Sequence, residues 1–406
     1  MTFAELWSEL AGIGRVELTG GYRRHSWTPA DQACRAWFAR TASDLGLRTD
    51  CDRNGNLWAW WGRPGGDAGS AVVTGSHLDS VPDGGAFDGP LGVVSAFAAV
   101  SKLRADGFRP ARPVAIAAFT EEEGARFGVA CLGSRLLTGA VDPAVASELQ
   151  DHDGVSLVEA MRAAGRDPDA IGPDDDLLAL IGEYVELHIE QGSALAGLGA
   201  PVGVAEGIWP HGRWRFDFTG RADHAGTTRL ADRRDPMLPY AATVLAARAA
   251  AVRCGALATF GKVRAEPGAA NAISSSVRAW LDARAPDEAV LEQLVTDIWA
   301  AAQAAASEQG VAVSRRRESV TPHVSFDAAL RERLVGVLAA AGFAVPVLAT
   351  GAGHDAGVLA ARIPTAMLFV RNPTGVSHSP AEHAEMADCE AGVVALTAVL
   401  ADLAAR

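Results

Sequence analysis

Four apolar runs rich in β-branched residues constrain the fold of this chain more than any other feature. They are Ala71–Gly75, Pro113–Phe119, Val185–Ile189 and Thr365–Val370. All four runs indicate strands, and the first two, which lack polar alternation, indicate strands that are buried on both faces. Between the first two runs, Leu91–Leu103 has helical character. Alternation of buried strands with helices predicts an α/β sheet that is covered by helices on both faces.

A different pattern begins after about residue 206. Half-exposed strands and long helices follow in the order βαββαβ, and we predict them at Arg213–Thr219, from Asp235 to about Val252, near Ala256–Arg264, at Ser276–Arg284, at Asp287–Ser307 and at Val311–Arg315. The first of these helices starts at Asp235-Pro236, and proline suits the first helical turn. The order predicts a ferredoxin-like unit of about one hundred residues that can fold by itself.

The chain has 406 residues, which is long for one hydrophobic core. From about residue 323 the sequence returns to the style of its first half. We therefore predict an insertion: residues 1–207 and 323–406 form the main domain, and residues 208–322 form the inserted one.

Charge and cysteine content exclude several classes of function. The chain carries 36 Lys and Arg against 49 Asp and Glu, a net charge of −13, which disfavours nucleic-acid partners. Its five cysteines are scattered and form no C-x-x-C pair, so neither a disulfide framework nor a thiolate zinc site is expected. No apolar run approaches a membrane span, and the acidic start does not resemble a secretion signal. We expect a cytoplasmic protein with no membrane partner.

Each of the four predicted strands is followed by an imidazole or a carboxylate. His77 follows the first strand, Glu121 to Glu123 follow the second, His188 lies at the end of the third, and His378 comes after the fourth. A single histidine is usually a surface or hydrogen-bonded residue, and a run of glutamates alone is explained by a solvated helix start. Four such strand ends facing one crevice instead predict a shared site. Histidines with carboxylates and no thiolate suit a pair of divalent ions, zinc or manganese, with cobalt or nickel as alternatives.

Six motifs occur in order along nearly the whole chain, and together they resemble one enzyme superfamily. They are Gly-Ser-His-Leu-Asp-Ser-Val-Pro, Gly-Gly-x-Phe-Asp-Gly, Glu-Glu-Gly-x-Arg-Phe, His-Ile-Glu-Gln-Gly, Ala-Asp-His-Ala-Gly and Gly-His-Asp-Ala. The chain resembles the dinuclear-metal aminoacylase and carboxypeptidase superfamily, in the branch of allantoate amidohydrolase, N-carbamoyl-L-amino acid hydrolase and β-ureidopropionase. The resemblance implies a mixed-sheet catalytic domain with an inserted lid domain that forms a homodimer.

This resemblance also implies which residues bind two divalent metal ions. Asp88 would bridge the ions, His77 and His188 would complete one site, and Glu123 and His378 the other. An acidic residue replaces His188 in the peptidase relatives, so the histidine points to the amidohydrolase branch.

Two further carboxylates match residues that assist the metal site. Glu122 matches the general base, which takes a proton from water and passes it to the leaving nitrogen. Asp79 matches the carboxylate that orients the imidazole of His77 through its other ring nitrogen.

The remaining matches concern the substrate, which the resemblance implies is a small carboxylate. His224 matches a catalytic histidine that reaches across a dimer to the oxyanion, and the matches to substrate-binding residues are Gln191, Asn271, Arg284, Gly351 and Gly353. Arg284 also shares a strand face with Asp282, so a structural ion pair remains its alternative role. For His354 and Asp355 a supporting role is expected.

Three segments depart from the pattern of the branch. Trp209-Pro210-His211 is bulkier than the segment expected there, and Arg229 and Ser274 replace prolines. The metal residues are intact, whereas the substrate-facing lid is altered. The expected activity is hydrolysis of a linear C–N bond in a ureido or N-acyl carboxylate, with allantoate as the first candidate substrate. Alternatives are N-carbamoyl- or N-formyl-L-amino acids, then a dipeptidase or aminoacylase activity, and finally a non-catalytic binding protein.

Overall fold

The structure is a computed structural model, and it describes residues 1–62 and 70–405. The described chain divides into two compact units, one made of Met1–Gly207 with Ser325–Arg406 and the other of Ile208–Val324. The predicted insertion covers residues 208–322. The α/β class is confirmed, with a mixed sheet in the first unit.

The strands are β1 (Arg48–Cys51), β2 (Leu57–Trp61), β3 (Ala71–His77), β4 (Val114–Phe119), β5 (Ile181–Ile189), β6 (Val202–Ile208), β7 (His211–Thr219), β8 (Asp223–His224), β9 (Leu257–Glu266), β10 (Ala272–Ile273), β11 (Ser276–Arg284), β12 (Ala312–Thr321), β13 (Val324–Ser325), β14 (Val347–Thr350) and β15 (Thr365–Val370). The helices are α1 (Phe3–Leu10), α2 (Pro29–Asp44), α3 (Pro90–Ala105), α4 (Leu132–Thr138), α5 (Pro143–Ser147), α6 (Leu157–Ala163), α7 (Asp175–Ala179), α8 (Ala194–Leu198), α9 (Met237–Cys254), α10 (Glu288–Glu308), α11 (Ala328–Ala340), α12 (Asp355–Leu359) and α13 (Met386–Ala404). Among the helices of the described residues, none is long and apolar enough to cross a membrane.

The first unit is built on a sheet with strand order β1-β2-β4-β3-β5-β15-β6, and β14 pairs with β6. Its four central strands, β4, β3, β5 and β15, run parallel. Every residue of β3, β4 and β15 is buried, as expected for strands covered on both faces. Parallel strands end at the same edge of a sheet, so the chemistry that follows them gathers there.

Close packing at the centre of this sheet requires a glycine in β3. A Cβ atom at Gly75 would lie 1.9 Å from the carbonyl oxygen of Ala117 on β4. Gly75 also has a φ angle of 148°, which is unfavourable for other residues. The glycine in the first motif is therefore explained by the approach of two strands.

An aromatic stack joins the amino-terminal helix α1 to the loop that precedes α3. The ring of Trp7 packs between Phe3 and Phe87, with centroid distances of 5.4 and 4.7 Å. Phe87 is the residue directly before Asp88, so this stack supports the backbone of a predicted metal ligand. The five cysteines are free thiols.

The second unit has a four-stranded antiparallel sheet with strand order β12-β7-β11-β9. Its core lies between the sheet and the helices α9 and α10, with Phe216, Phe218, Leu281, Leu294 and Ile298 fully buried. The βαββαβ order agrees with the prediction, but the last strand was predicted too short. It continues to Thr321, and because Arg315 to Arg317 lie within it, the usual apolar alternation is absent.

Candidate metal centre

Adjacent parallel strands bring the predicted ligands to one edge of the sheet. His77 is the last residue of β3, and His188 is the last residue but one of β5. Glu122 and Glu123 follow β4 directly, and His378 lies in the segment after β15. Because β4, β3, β5 and β15 are neighbours, these side chains converge as the sequence pattern predicts.

Asp88 lies at the centre of this group with one oxygen turned to each side. Its Oδ1 is 3.2 Å from Nε2 of His188 and 3.6 Å from Nε2 of His77. Its Oδ2 is 3.4 Å from Nε2 of His378, which in turn lies 3.5 Å from Oε2 of Glu123. A carboxylate whose two oxygens face separate sets of ligands has the arrangement needed to bridge two ions.

The donor atoms fit divalent cations in type and in spacing. His77, Asp88 and His188 form one cluster, and Asp88, Glu123 and His378 form another, each with donor atoms within 4.8 Å of one another. Nε2 of His77 and Nε2 of His188 are buried, and neither makes a hydrogen bond within the described chain. Buried nitrogens directed at a shared carboxylate are typical of metal ligands.

Main-chain carbonyls orient the two buried imidazoles. Nδ1 of His77 lies 3.1 Å from the carbonyl oxygen of Asp79, and Nδ1 of His188 lies 2.9 Å from that of Ile189. Each Nδ1 therefore donates, and each Nε2 keeps its lone pair for the ligand position.

The carboxylate of Asp79 lies near the predicted ring nitrogen and has further contacts. It lies 3.6 Å from Nδ1 of His77, and its two oxygens accept hydrogen bonds from the backbone N–H groups of Glu122 (3.2 Å) and Glu123 (3.1 Å). Asp79 thus holds the segment that carries the predicted base and the adjacent ligand, while its own carbonyl orients His77.

The glutamates after β4 are not a solvated helix start. Glu121 and Glu122 are buried, and the next helix begins only at Leu132. The side chain of Glu121 accepts backbone hydrogen bonds from Arg126 and Phe127, both at 2.8 Å. Burial raises the pKa of Glu122 well above its usual value, and Asp355 and Glu123 add to the increase. The pKa of Glu123 is also raised by burial and by Asp88.

The loop that carries Asp88 is held from two sides. A Cβ atom at Gly89 would lie 2.3 Å from Cε1 of His77, so only glycine allows the ring to pack there. From the other side, Oε1 of Glu382 accepts hydrogen bonds from the backbone N–H groups of Phe87 and Asp88, both at 2.9 Å. The sequence analysis did not assign a role to Glu382. Its position four residues after the predicted ligand His378 was the available indication that it lies near the metal site.

Two more buried groups behind the site were also missed. The thiol of Cys131 donates to Oε1 of Glu122 across 3.3 Å. Glu186, on β5, accepts hydrogen bonds from Oγ of Ser76 (2.7 Å) and from the backbone N–H of Ala356 (3.0 Å). Neither residue has a sequence signal: Glu186 acts through contacts with segments that are distant along the chain, and the contact of Cys131 with Glu122, nine residues away, depends on the path of the loop between them.

The residues expected to play a supporting role lie behind His188. The ring of His354 packs against the ring of His188 with a centroid distance of 4.5 Å. Asp355 accepts a hydrogen bond of 2.5 Å from Oγ of Ser134. The loop with Gly351 and Gly353 leads directly into His354, and a Cβ atom at Gly353 would meet nothing within 4 Å.

Gln191 lies among the candidate ligands. Its Nε2 donates to Oδ2 of Asp88 (2.7 Å) and to Oγ of Ser377 (3.2 Å), and it lies 3.4 Å from Nε2 of His378. Its Oε1 is buried without a hydrogen bond within the described residues.

The remaining predicted residues belong to the second unit. His224 is exposed on β8, where it is paired with Ala272 on β10, and Asn271 accepts a backbone hydrogen bond of 3.0 Å from Ala225. Arg284 donates to both oxygens of Asp282, with Nε at 2.8 Å and Nη2 at 3.3 Å. The alternative predicted for Arg284, a structural ion pair, is therefore present.

Known proteins resemble this chain over almost its whole length. It is 36% identical to the N-carbamoyl-L-amino acid amidohydrolase of Geobacillus stearothermophilus over 96% of each chain. It is 32% identical to the allantoate amidohydrolase of Escherichia coli, covering 95% of this chain and 93% of that protein. Among solved structures, a hydantoinase/carbamoylase family amidase from Burkholderia multivorans superposes with a TM-score of 0.87 at 30% identity, covering 100% of this chain and 98% of that one. The model of peptidase family M20/M25/M40 matches residues 73–402, and the chain belongs to this family.

Proposed function

We propose that this protein is a metal-dependent amidohydrolase that cleaves a linear C–N bond of a ureido or N-acyl group in a small carboxylate. The convergence of a buried carboxylate, Glu122, with Asp88 and the four candidate metal ligands around it is the observation that carries the proposal. Allantoate is the first candidate substrate. N-carbamoyl-L-amino acids are the second, favoured by the relative that is 36% identical, and N-formyl-L-amino acids follow.

Two divalent ions are proposed to bind at the two clusters that share Asp88. Zinc or manganese suits imidazole and carboxylate donors, and cobalt or nickel can replace them. Bound divalent ions supply Lewis-acid polarisation of the scissile carbonyl and lower the pKa of water. His77 and His188 would hold one ion, and Glu123 and His378 the other, with Asp88 shared.

Glu122 is proposed to move the proton during hydrolysis. Its Oε2 lies 3.6 Å from Nε2 of His77, at the edge of the ligand group, while its Oε1 is held by Cys131. A carboxylate at that edge can accept a proton from the attacking water and deliver it to the leaving nitrogen. Burial raises the pKa of Glu122, and Asp355 and Glu123 raise it further.

Residues of the second unit are proposed to bind the substrate. His224 would donate a hydrogen bond to the tetrahedral oxyanion, and Asn271 and Arg284 would bind the substrate carboxylate together with backbone groups near Gly351 and Gly353. Gln191 would contact the ureido or amide end.

A homodimer through the second unit is proposed as the working assembly. Helix α9 exposes three large apolar side chains at heptad spacing, Leu238 (52% exposed), Leu245 (72%) and Val252 (75%). An exposed apolar stripe on one helix favours a protein interface. In such a dimer His224 would serve the site of the partner chain.

A mixing experiment tests that assembly. A His224→Ala chain lacks the oxyanion donor and a Glu122→Gln chain lacks the base, so each homodimer should be nearly inactive. After verified subunit exchange, activity should return to at most about a quarter of wild type, because half the dimers are mixed and each has one complete site. If no activity returns, His224 does not act across the dimer.

Two other classes of function are disfavoured. A dipeptidase or aminoacylase activity agrees less well with His188 and Gln191, and a non-catalytic binding protein would not require Glu122 beside a full ligand set. These functions can be distinguished by an activity screen. Manganese-loaded protein is incubated with allantoate, N-carbamoyl-L-amino acids and N-formyl-L-amino acids, and the release of ammonia or formate is measured. We expect the wild type to turn over at least one ureido or N-acyl carboxylate. The Glu122→Gln variant should show no turnover in this screen. Turnover of dipeptides alone would contradict the proposal.

A further inference from the structure

Backbone groups of the loop that follows β8 form hydrogen bonds with the ring of His224. Nδ1 of His224 accepts hydrogen bonds from the N–H groups of Gly226 (3.0 Å) and Thr227 (3.2 Å). The loop closes on itself where the N–H of Thr228 donates to the carbonyl oxygen of His224 at 3.2 Å. An exposed histidine is thus held by its own loop.

These hydrogen bonds determine which ring nitrogen carries the proton. A nitrogen that accepts from two N–H groups cannot itself be protonated, so the neutral ring of His224 has its hydrogen on Nε2. Nε2 is then a hydrogen-bond donor directed away from the loop. Donation is the property that stabilisation of an oxyanion requires.

One arginine holds the loop in this shape. Nη2 of Arg233 donates to the carbonyl oxygen of Ala225 (2.6 Å), and its Nε donates to that of Thr228 (3.1 Å). These two carbonyls lie on either side of the Gly226-Thr227 pair whose N–H groups face His224. A planar guanidinium carries its donors on separate nitrogens and can bridge two such acceptors, whereas a lysine ammonium carries its three donors on one nitrogen and lacks this fixed spacing.

We propose that Arg233 is a positioning residue for His224: by tying the carbonyls of Ala225 and Thr228, it directs the intervening N–H groups at Nδ1 and keeps the imidazole as an Nε2–H donor. The inference rests on the proposed role of His224 in catalysis, but the tautomer itself can be measured independently. Arg233 does not touch the substrate in this account and acts only through the loop.

The neighbouring Arg234 offers a matched control. It is exposed, and its side chain makes no hydrogen bond or ion pair with any residue that the structure describes. Arg233→Met and Arg234→Met therefore remove the same charge from adjacent positions, and only the first removes the two contacts to the loop. Arg233→Lys keeps the charge without the bridge.

The first readout is the tautomer of His224. With histidine-selective ¹⁵N labelling in zinc-loaded protein, long-range ¹H–¹⁵N spectra distinguish Nδ1 from Nε2 protonation, and the His224→Ala spectrum assigns the signal. Wild type and Arg234→Met should show a single Nε2–H form. Arg233→Met and Arg233→Lys should show averaged tautomers. An unchanged Nε2–H signal in both Arg233 variants would overturn the inference.

The second readout is kinetic. Both Arg233 variants should lose roughly 10- to 100-fold in kcat with little change in KM, part of the roughly 100- to 1000-fold expected when an oxyanion donor is removed. Metal content should stay at the wild-type level. Gly226→Ala provides a second test with Arg233 intact, because its Cβ would lie 3.2 Å from Cε1 of His224 and displace the ring, so kcat should again fall. If kcat falls in His224→Ala but is unchanged in the Arg233 variants, Arg233 does not position His224. If His224→Ala is fully active, His224 has no catalytic role, and the spectra alone then decide whether Arg233 fixes the tautomer.

Discussion

Replacing Asp79 with asparagine should affect the two proposed metal sites to different extents. In the wild type, the two oxygens of Asp79 accept the N–H groups of Glu122 and Glu123, and the main-chain carbonyl of the same residue orients His77. Asparagine has almost the same shape but only one acceptor oxygen. The substitution should therefore release one of the two glutamates and leave the orientation of His77 intact.

The expected decrease in metal affinity follows from the loss of one hydrogen-bond acceptor. A buried N–H left without a partner costs about 1–3 kcal/mol. Since about 1.4 kcal/mol corresponds to a factor of ten, this cost predicts roughly 5- to 150-fold weaker metal binding where Glu123 and His378 are the ligands. The ion held by His77 and His188 should be affected much less, because their Nδ1 atoms contact the carbonyls of Asp79 and Ile189.

The assay is equilibrium dialysis against graded free zinc, followed by metal analysis and measurement of kcat. Asp79→Asn should show one site close to wild-type affinity, one weakened site and reduced turnover. Asp106→Asn, an exposed aspartate at the end of α3, is the control and should behave as wild type. Equal weakening of both sites would show that the carboxylate of Asp79 acts through His77, and unchanged binding would refute the reasoning.

Three further outcomes are expected. Glu122→Gln should keep its metal and lose turnover by roughly 100-fold or more, whereas Glu123→Gln should lose metal; the opposite pattern in metal analysis would reverse the two roles. Exhaustive chelation should abolish turnover, and reconstituted protein should contain close to two divalent ions per chain; full activity without metal would contradict the metal proposal. Leu245→Arg on the exposed stripe of α9 should shift the protein towards monomers in sedimentation velocity; an unchanged sedimentation coefficient would place the interface elsewhere.

The sequence predicted those features that depend on local pattern. The strands that carry His77 and His188 are marked by short runs rich in apolar residues, and their parallel pairing follows from the helices between them. The convergence of the candidate ligands then follows from topology alone, since parallel strands end at one edge. The inserted unit was recognised in the same way, from the alternation of Arg213–Thr219 and from Asp235-Pro236 at the predicted start of the first long helix, which begins at Met237 in the structure.

What the sequence could not reveal depends on contacts between distant segments. Glu382 reaches the backbone of Asp88 across nearly three hundred residues, and no periodicity encodes such a contact. A local loop conformation is equally hidden: Cys131 has a positive φ angle of 54° at the start of α4, and its thiol contacts Glu122, nine residues earlier. The strand β12 was shortened in prediction because its exposed arginines lack the alternation on which strand assignment depends.

The aromatic stack of Phe3, Trp7 and Phe87 lies partly outside the stretch that defines the family, which begins at residue 73. In this chain, the segment that matches the family therefore packs against an amino-terminal helix that lies outside the match. Changes in this helix would alter the setting of Asp88 without altering any family motif. Relatives with identical metal ligands can therefore differ in catalytic properties because their supporting segments differ. A comparison of the shared motifs alone would not detect such differences.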